Sequence, residues 1–302
     1  MRSTSRFLFI ALLSSLLSLT GCSSTDEKKE PRSYTAEEFY KQGVKQLKYH
    51  DYEGAILNFQ GLEAEFPFSR YAEQAQLELI YAYYKDFDYE AADSAADRFI
   101  RLHPHHSNVD YAYYMKGLAA SRVGGDALGD LIPVDNSQRD PAGAREAFSY
   151  FAQLLELYPD SRYAADARKR MVHLRNLLAR NEIHAANYYF KRGAWLAAAN
   201  RGKYVVENFA KTPAVADGLA VIIQAYTLLG SETLAKDALA TLKLNFPDYP
   251  YLDKNGNFVL QSTNENRTWL NRASFGLFGK STLVGFDTRE LYNPQYKLEE
   301  DD

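Results

Sequence analysis

The sequence predicts an all-α protein, a superhelix of about five degenerate helix pairs with a short C-terminal extension. Its 46% apolar and 25% charged residues are typical of a globular chain. A junction recurs in which an aromatic residue precedes proline and a polar turn, and an alanine stands twelve residues before each proline position. A small residue recurring at one place in a helical unit indicates a close helix crossing. The junctions begin at Phe66, His103, Tyr158, Phe209 (where Ala210 replaces proline) and Phe246, and the alanines are Ala55, Ala92, Ala147, Ala198 and Ala235.

The chain begins with an export signal, predicted at residues 1–21. Two arginines precede an apolar run at 7–19, which is shorter than the roughly 20 residues that an α-helix needs to cross a bilayer. The run ends in LTGC at 19–22, which resembles the lipobox of bacterial lipoproteins. The resemblance implies cleavage before Cys22, acylation of its thiol and, because Ser23 rather than Asp follows, an outer-membrane anchor facing the periplasm. The alternative is an ordinary cleaved signal with an incidental cysteine.

Residues 22–33 are predicted to be a solvated, lipidated tether, because SSTDEKKEPRS at 23–33 offers no large apolar side chain for packing. Removal of the signal takes away two arginines and no acids, so the net charge falls from −4 to −6. An acidic chain without a basic stripe argues against a nucleic-acid partner. The single cysteine excludes an internal disulfide.

Residues 34–247 are predicted to form the repeat domain. Phe39, Gly43, Ala55, Phe59 and Pro67 fall at the offsets of tetratricopeptide repeats, which are helix–turn–helix units of about 34 residues. Later units keep parts of this pattern. The resemblance implies a right-handed superhelix of about five helix pairs, each crossing at small residues.

Two units and the C-terminus depart from the repeat. About 18 additional residues, with loop-forming glycines and a proline, lie between the helices of the third unit. The fourth unit is about 14 residues longer than the repeat, and the additional residues lie within the region 163–192. This predicts a longer or an additional helix there. Residues 248–302 are predicted to be an appended extension, to which no function is assigned.

The sequence contains no catalytic constellation. The GKS triplet at 279–281 imitates the end of a phosphate loop, but Ser274 stands where the loop needs glycine. Three histidines around Pro104 have no acidic or cysteine ligand nearby in sequence, which favours a solvated turn over a metal site. We therefore predict a protein that is not an enzyme and uses no cofactor or metal.

Tyrosines indicate a peptide-binding groove. The chain has 23, many of them at the starts of units, where the tetratricopeptide register places them on the concave surface. Large apolar rings with a hydroxyl suit an extended segment rich in aromatic residues. Packing between neighbouring units is an equally favoured role for each ring. The predicted groove residues are Tyr40, Tyr81, Tyr84, Tyr111 and Tyr114, with Arg122 near the edge.

The lipobox and the degenerate repeats together resemble the BamD family of outer-membrane assembly lipoproteins. The most specific stretches are YYFKRGAWLAAANR at 188–201, FPFSRYAEQAQLELIYAYY at 66–84 and LYPDSRYAADARKRMV at 157–172. The resemblance implies a scaffold subunit of the machinery that folds and inserts β-barrel proteins, alongside other assembly lipoproteins. Its C-terminal repeats are implied to bind the periplasmic domains of the barrel subunit BamA. Its N-terminal repeats are implied to receive the C-terminal signal of unfolded outer-membrane proteins.

Arg201 matches the family arginine that is implied to contact BamA. An arginine fork can hold a partner carboxylate through two hydrogen bonds. From the residues alone, an exposed helix arginine without a partner is favoured. Trp195 is a second candidate contact in the same stretch, although packing between units is the favoured role for its ring.

The same sequence features are compatible with a second function class. A lipid anchor and a repeat scaffold would also serve a pilotin-like lipoprotein that escorts a secretin or a pilus component to the outer membrane. An enzyme acting on cell-wall polymer would need a paired acid and base, and the sequence offers no such pair.

Overall fold

The computed structural model describes residues 34–123, 135–261 and 285–288, and these form ten α-helices without a β-strand. The signal, Cys22 with the whole tether at 22–33, and the glycine-rich stretch 124–134 lie outside the described residues. The helices are α1 (Ala36–Lys48), α2 (Tyr52–Glu65), α3 (Ala72–Lys85), α4 (Tyr89–Leu102), α5 (Val109–Arg122), α6 (Ala142–Leu157), α7 (Ala164–Lys191), α8 (Trp195–Asn208), α9 (Ala214–Leu228) and α10 (Glu232–Asn245). The predicted all-α repeat fold with five helix pairs is confirmed.

Four of the five pairs are closed by a three-residue turn whose central residue has a positive φ. That residue is Gly193 or Gly230 in the fourth and fifth pairs, with φ of 71° and 74°. In the first two pairs it is His50 or Phe87, with φ of 60° and 64°. A left-handed residue just after a helix lets the chain reverse while the last carbonyls keep hydrogen-bond donors.

The third and fourth pairs contain the predicted departures. The linker between α5 and α6 runs from Val123 to Pro141 and includes a short 3₁₀-helix at Asn136–Gln138. In the fourth pair the additional residues extend α7 to 28 residues, against 13 to 16 for the others, so the longer helix is the correct alternative.

Each second helix ends at the aromatic residue of the predicted junction. These five residues are C-caps with extended φ, and each backbone N–H donates to the carbonyl four residues earlier at 2.7–2.9 Å. Proline disfavours the helical conformation of the residue before it, which ends four of the helices here. Phe209 ends α8 in the same way although Ala210 follows.

The predicted small residues lie where paired helices cross. The five alanines that precede the junctions are buried. A Cβ added to Gly43 would lie 2.6 Å from the ring of Phe59. At Gly117 the same atom would lie 2.4 Å from the ring of Phe151. Both distances are shorter than side-chain contacts in proteins allow, so only glycine fits these crossings without a shift.

The first helices of the pairs form the inner layer of the superhelix. Besides packing against its own partner, α1 contacts α3, α3 contacts α5, and α7 contacts α9. The described part of the C-terminal extension packs against α7 and α9, where Tyr249 and Phe286 are both 1% exposed. Within the described ranges, no helix is both long enough and apolar enough to cross a membrane.

Candidate functional site

The predicted groove residues all lie on first helices. Tyr40 is on α1, Tyr81 and Tyr84 are on α3, and Tyr111, Tyr114 and Arg122 are on α5. They therefore belong to the inner layer of the first three pairs. Their contacts show which rings take part in packing and which reach solvent.

Tyr40 belongs to an aromatic stack at the N-terminal end of this layer. Its ring lies 5.2 Å from that of Tyr71, the residue before α3, with the two planes 21° apart. The guanidinium of Arg70 covers the Tyr71 ring at 4.7 Å. Burial, together with the charge of Glu78, raises the pKa of Tyr40. The stack thus presents a cation and two tyrosines side by side.

Tyr114 belongs to a second stack of the same construction. Its ring lies 4.7 Å from Tyr163, the residue before α7, at 14°, and the Arg162 guanidinium covers Tyr163 at 4.8 Å. The Tyr114 hydroxyl donates to Asp166 at 2.7 Å. Burial and this hydrogen bond raise the pKa of Tyr114 to about 12. The two stacks share the sequence Ser-Arg-Tyr, at 69–71 and 161–163.

The remaining groove residues differ in exposure. Tyr81 is 37% exposed, whereas the Tyr84 ring packs 5.6 Å from Tyr89. Tyr111 packs 5.7 Å from Tyr163, and burial raises its pKa strongly. Arg122 is exposed at the end of α5. Some residues of this set therefore take part in packing, and others reach solvent.

Arg201 lies on α8 and pairs with a carboxylate of its own chain. Its Nη1 donates to Glu182 Oε2 on α7 at 2.8 Å, and this bond raises the pKa of Arg201. Arg145 on α6 donates to the other Glu182 oxygen at 3.5 Å. The Glu182 side chain is 4% exposed, while that of Arg201 is 42% exposed. Trp195 begins α8 and packs 6.0 Å from Phe190.

A polar cluster joins the α5–α6 linker, α7 and the extension. His184 Nε2 lies 3.4 Å from Asp135 and 3.6 Å from Asp287, beside a cavity of about 620 Å³. These are metal-ligand types, but Arg180 already donates to Asp135 at 3.0 Å. Ser137 also contacts His184 at 2.9 Å. A hydrogen-bonded network that joins three segments accounts for the group.

Sequence reasoning missed the polar side chains on α7 and α9 that hold the extension. Asp217 and Gln224 are 5% and 1% exposed, and Asn187 lies on α7. Two polar residues seven apart in the apolar run VADGLAVIIQAY share one helix face, which is the signal that could have indicated them.

Comparison with known proteins identifies the relatives of this chain. The family model described as YfiO, outer membrane lipoprotein, matches residues 32–242. Outer membrane protein assembly factor BamD of Xylella fastidiosa (strain Temecula1) is 38% identical over 245 residues, which is 81% of this chain and 84% of that protein. The BamD of Neisseria meningitidis serogroup A is 42% identical over 73% of this chain and 83% of its own length. The BamD of Vibrio cholerae O1 is 35% identical over 77% of this chain and 97% of its own length.

The match to the family model covers more than half of the chain, and the relatives are similar over most of their own lengths. It includes all the predicted groove residues, Trp195 and Arg201. The chain belongs to the family of outer membrane lipoproteins that is represented by the assembly factors BamD.

Proposed function

We propose that this protein is a lipid-anchored scaffold subunit of the β-barrel assembly machinery. In this function it binds unfolded outer-membrane proteins through their C-terminal signals and the barrel subunit BamA through its periplasmic domains. Cys22 carries the acyl anchor that holds it on the periplasmic side of the outer membrane. The family membership supports the general role, and the tyrosine-rich inner layer carries the proposal of a peptide groove.

The groove would recognise an extended segment that ends in an aromatic residue. Tyr81 is partly exposed on α3, and both Tyr81 and Arg162 lie close enough to Tyr111 to affect its pKa. Exposed aromatic rings offer apolar area to an aromatic side chain, and the Arg162 guanidinium offers hydrogen bonds to a terminal carboxylate. The packed tyrosines hold this surface rigid, which lowers the entropy lost on binding.

A peptide-binding measurement tests the groove. We expect Tyr81→Ala with Tyr114→Ala to weaken binding of a fluorescent peptide from the C-terminus of a barrel protein by tenfold or more, measured by anisotropy. Tyr204→Ala is the matched control, because Tyr204 is 45% exposed on a second helix, α8. Unchanged affinity in the double variant, with the fold intact by circular dichroism, would remove the groove from the proposal.

Arg201 is the proposed contact for BamA. Its side chain keeps 42% of its surface exposed while one nitrogen holds Glu182. A charge reversal at Arg201 would also place two carboxylates together in the fold. The test therefore uses Arg201→Ala combined with Glu182→Gln, which removes the guanidinium without leaving a buried charge.

Co-purification from mild detergent tests the assembly role. A C-terminally tagged wild-type chain is expected to retain a barrel protein with repeated periplasmic domains in near-equal amount, identified by mass spectrometry. The Arg201→Ala, Glu182→Gln chain is expected to lose it, and Glu182→Gln alone to keep it. Retention of a secretin or of pilus proteins instead would refute the assembly role, and retention of the barrel protein by the double variant would refute the Arg201 contact.

A further inference from the structure

The C-terminal extension is held through its main chain by side-chain amides of the inner layer. Asn187 on α7 donates from Nδ2 to the carbonyl of Phe286 at 3.1 Å, and its Oδ1 accepts from the N–H of Phe286 at 2.9 Å. Both main-chain polar groups of Phe286 are thus satisfied by one side chain. This is the pattern by which a neighbouring β-strand would pair with the same residue.

Gln224 on α9 makes the same pair of bonds with a second residue. Its Nε2 donates to the carbonyl of Gln261 at 3.0 Å, and its Oε1 accepts from the N–H of Gln261 at 2.7 Å. Gln224 is 1% exposed. A buried amide whose bonds are directed at main-chain groups recognises a backbone whatever side chains that backbone carries.

Side-chain contacts add selectivity beside these amides. Asp217 on α9 accepts from the hydroxyl of Thr288 at 2.7 Å and from the Thr288 N–H at 3.2 Å. The Phe286 ring lies in the core, 5.7 Å from that of Phe190 on α7. The extension thus supplies an aromatic anchor and, two residues later, a hydroxyl that bonds to a buried carboxylate.

We propose that the inner face of the fourth and fifth pairs is a second peptide-binding site, which the C-terminal extension fills in cis. Asn187, Gln224 and Asp217 all lie on first helices, as do the tyrosines of the first three pairs. The ligand class is a peptide segment with an aromatic residue followed two positions later by Ser or Thr. The site does not depend on what the tyrosine-lined half binds.

Because the extension of the same chain occupies this site, a free peptide must bind strongly to displace it. A tethered ligand has an effective concentration of the order of millimolar, so a free peptide must exceed that value to enter. A weakened segment at 286–288 would leave Asn187 and Asp217 available to a peptide in trans, while Gln224 keeps its bonds to Gln261. The site is therefore tested by weakening the tethered copy in the full chain and adding the segment back.

The experiment measures anisotropy of a fluorescent peptide with the sequence of residues 282–291 (TLVGFDTREL). The full chain carrying Phe286→Ala and Thr288→Ala is expected to bind it at least tenfold more tightly than the wild-type chain does. Adding Asn187→Ala to that variant is expected to weaken binding at least tenfold. Asn181→Ala is the matched control on the same helix, because Asn181 donates to linker carbonyls instead.

Failure of the released variant to bind the peptide, with its helix content intact, would overturn the proposal. Equal loss in the Asn187→Ala and Asn181→Ala chains would overturn it as well. Hydrogen exchange of the wild-type chain covers the case in which the variant does not fold. The Phe286 and Thr288 amides are expected to exchange at least a hundredfold faster than those of α9. Equal protection would mean that the extension opens only with the whole domain and is not an exchangeable ligand.

Discussion

Replacing Arg201 by alanine is expected to lower the free energy of unfolding by about 2 kcal/mol. The variant leaves the buried Glu182 carboxylate, 4% exposed, with Arg145 as its remaining arginine partner at 3.5 Å. Breaking a fully buried ion pair costs roughly 3–5 kcal/mol. Arg201 is 42% exposed, so water screens its charge, and Arg145 stays in place. The expected loss is therefore about 2 kcal/mol rather than the cost of a fully buried pair.

Thermal and urea unfolding followed by circular dichroism measure this loss. About 2 kcal/mol corresponds to a fall in Tm of roughly 5 °C for a domain of this size. Glu182→Gln in the same chain is expected to restore most of the stability, because the buried group is then neutral and can still accept from Arg145. Arg145→Ala is expected to cost less than about 1 kcal/mol, since that side chain is 59% exposed.

A double-mutant cycle of Arg201→Ala and Glu182→Gln tests whether the two side chains interact. If the losses from Arg201→Ala and Glu182→Gln simply add, the two side chains do not interact and the buried-carboxylate account is wrong. If Arg201→Ala alone leaves Tm unchanged, Glu182 finds enough stabilisation without it. Only the second result would make Arg201 available to a partner at no expense to the fold.

Two further outcomes are expected. Gly202→Ala should destabilise the chain by about 2 kcal/mol in urea unfolding, because the new Cβ would lie 2.7 Å from the Gly218 carbonyl oxygen where α8 crosses α9. Gly54→Ala, which meets the side chains of Gln46 and Asp51 rather than a backbone atom, should cost less, and an equal loss in both variants would contradict the crossing argument. Burial raises the pKa of Asp217 from 3.8 to about 6. Between these pH values the native state therefore binds more protons than the unfolded state does. The free energy of unfolding should fall by about 3 kcal/mol as pH rises through this interval. Asp217→Asn should flatten that part of the stability profile measured by urea unfolding, and an unchanged slope would exclude Asp217 as its source.

The repeat architecture could be predicted from the sequence because its determinants are local. An aromatic residue before proline ends a helix wherever it stands, and an alanine twelve residues earlier lies at the crossing within the same pair. For the same reason, the counts of additional residues indicated the long linker and a longer or an additional helix at 163–192. The count alone could not decide between one long helix and two. Residues 163–192 contain no proline or glycine that would end a helix, which favours one long helix. They also have no capping residue before Ala164 that would mark where it begins.

The side-chain pairings of the site depend on contacts between units, which the sequence does not display. Glu182 and Arg201 are 19 residues apart on different helices, so their contact depends on the length of α7 and on the turn at Gly193. The tyrosines show the same limitation. Tyr114 stacks on Tyr163, which lies 49 residues later in the chain. Tyr81, a tyrosine on the neighbouring first helix, is instead 37% exposed.

The inner layer is used differently along its length, and the residue types explain why. In the first three pairs it carries tyrosines, whose rings offer area and a single hydroxyl. In the last two pairs it carries Asn187, Asp217 and Gln224, whose polar atoms would be costly to bury without partners. The extension satisfies them, so α9 can be buried on the face that α8 and α10 leave open. Conversely, loss of the extension should leave three unsatisfied polar side chains on the inner face. That face would then favour an extended peptide able to supply the same main-chain groups.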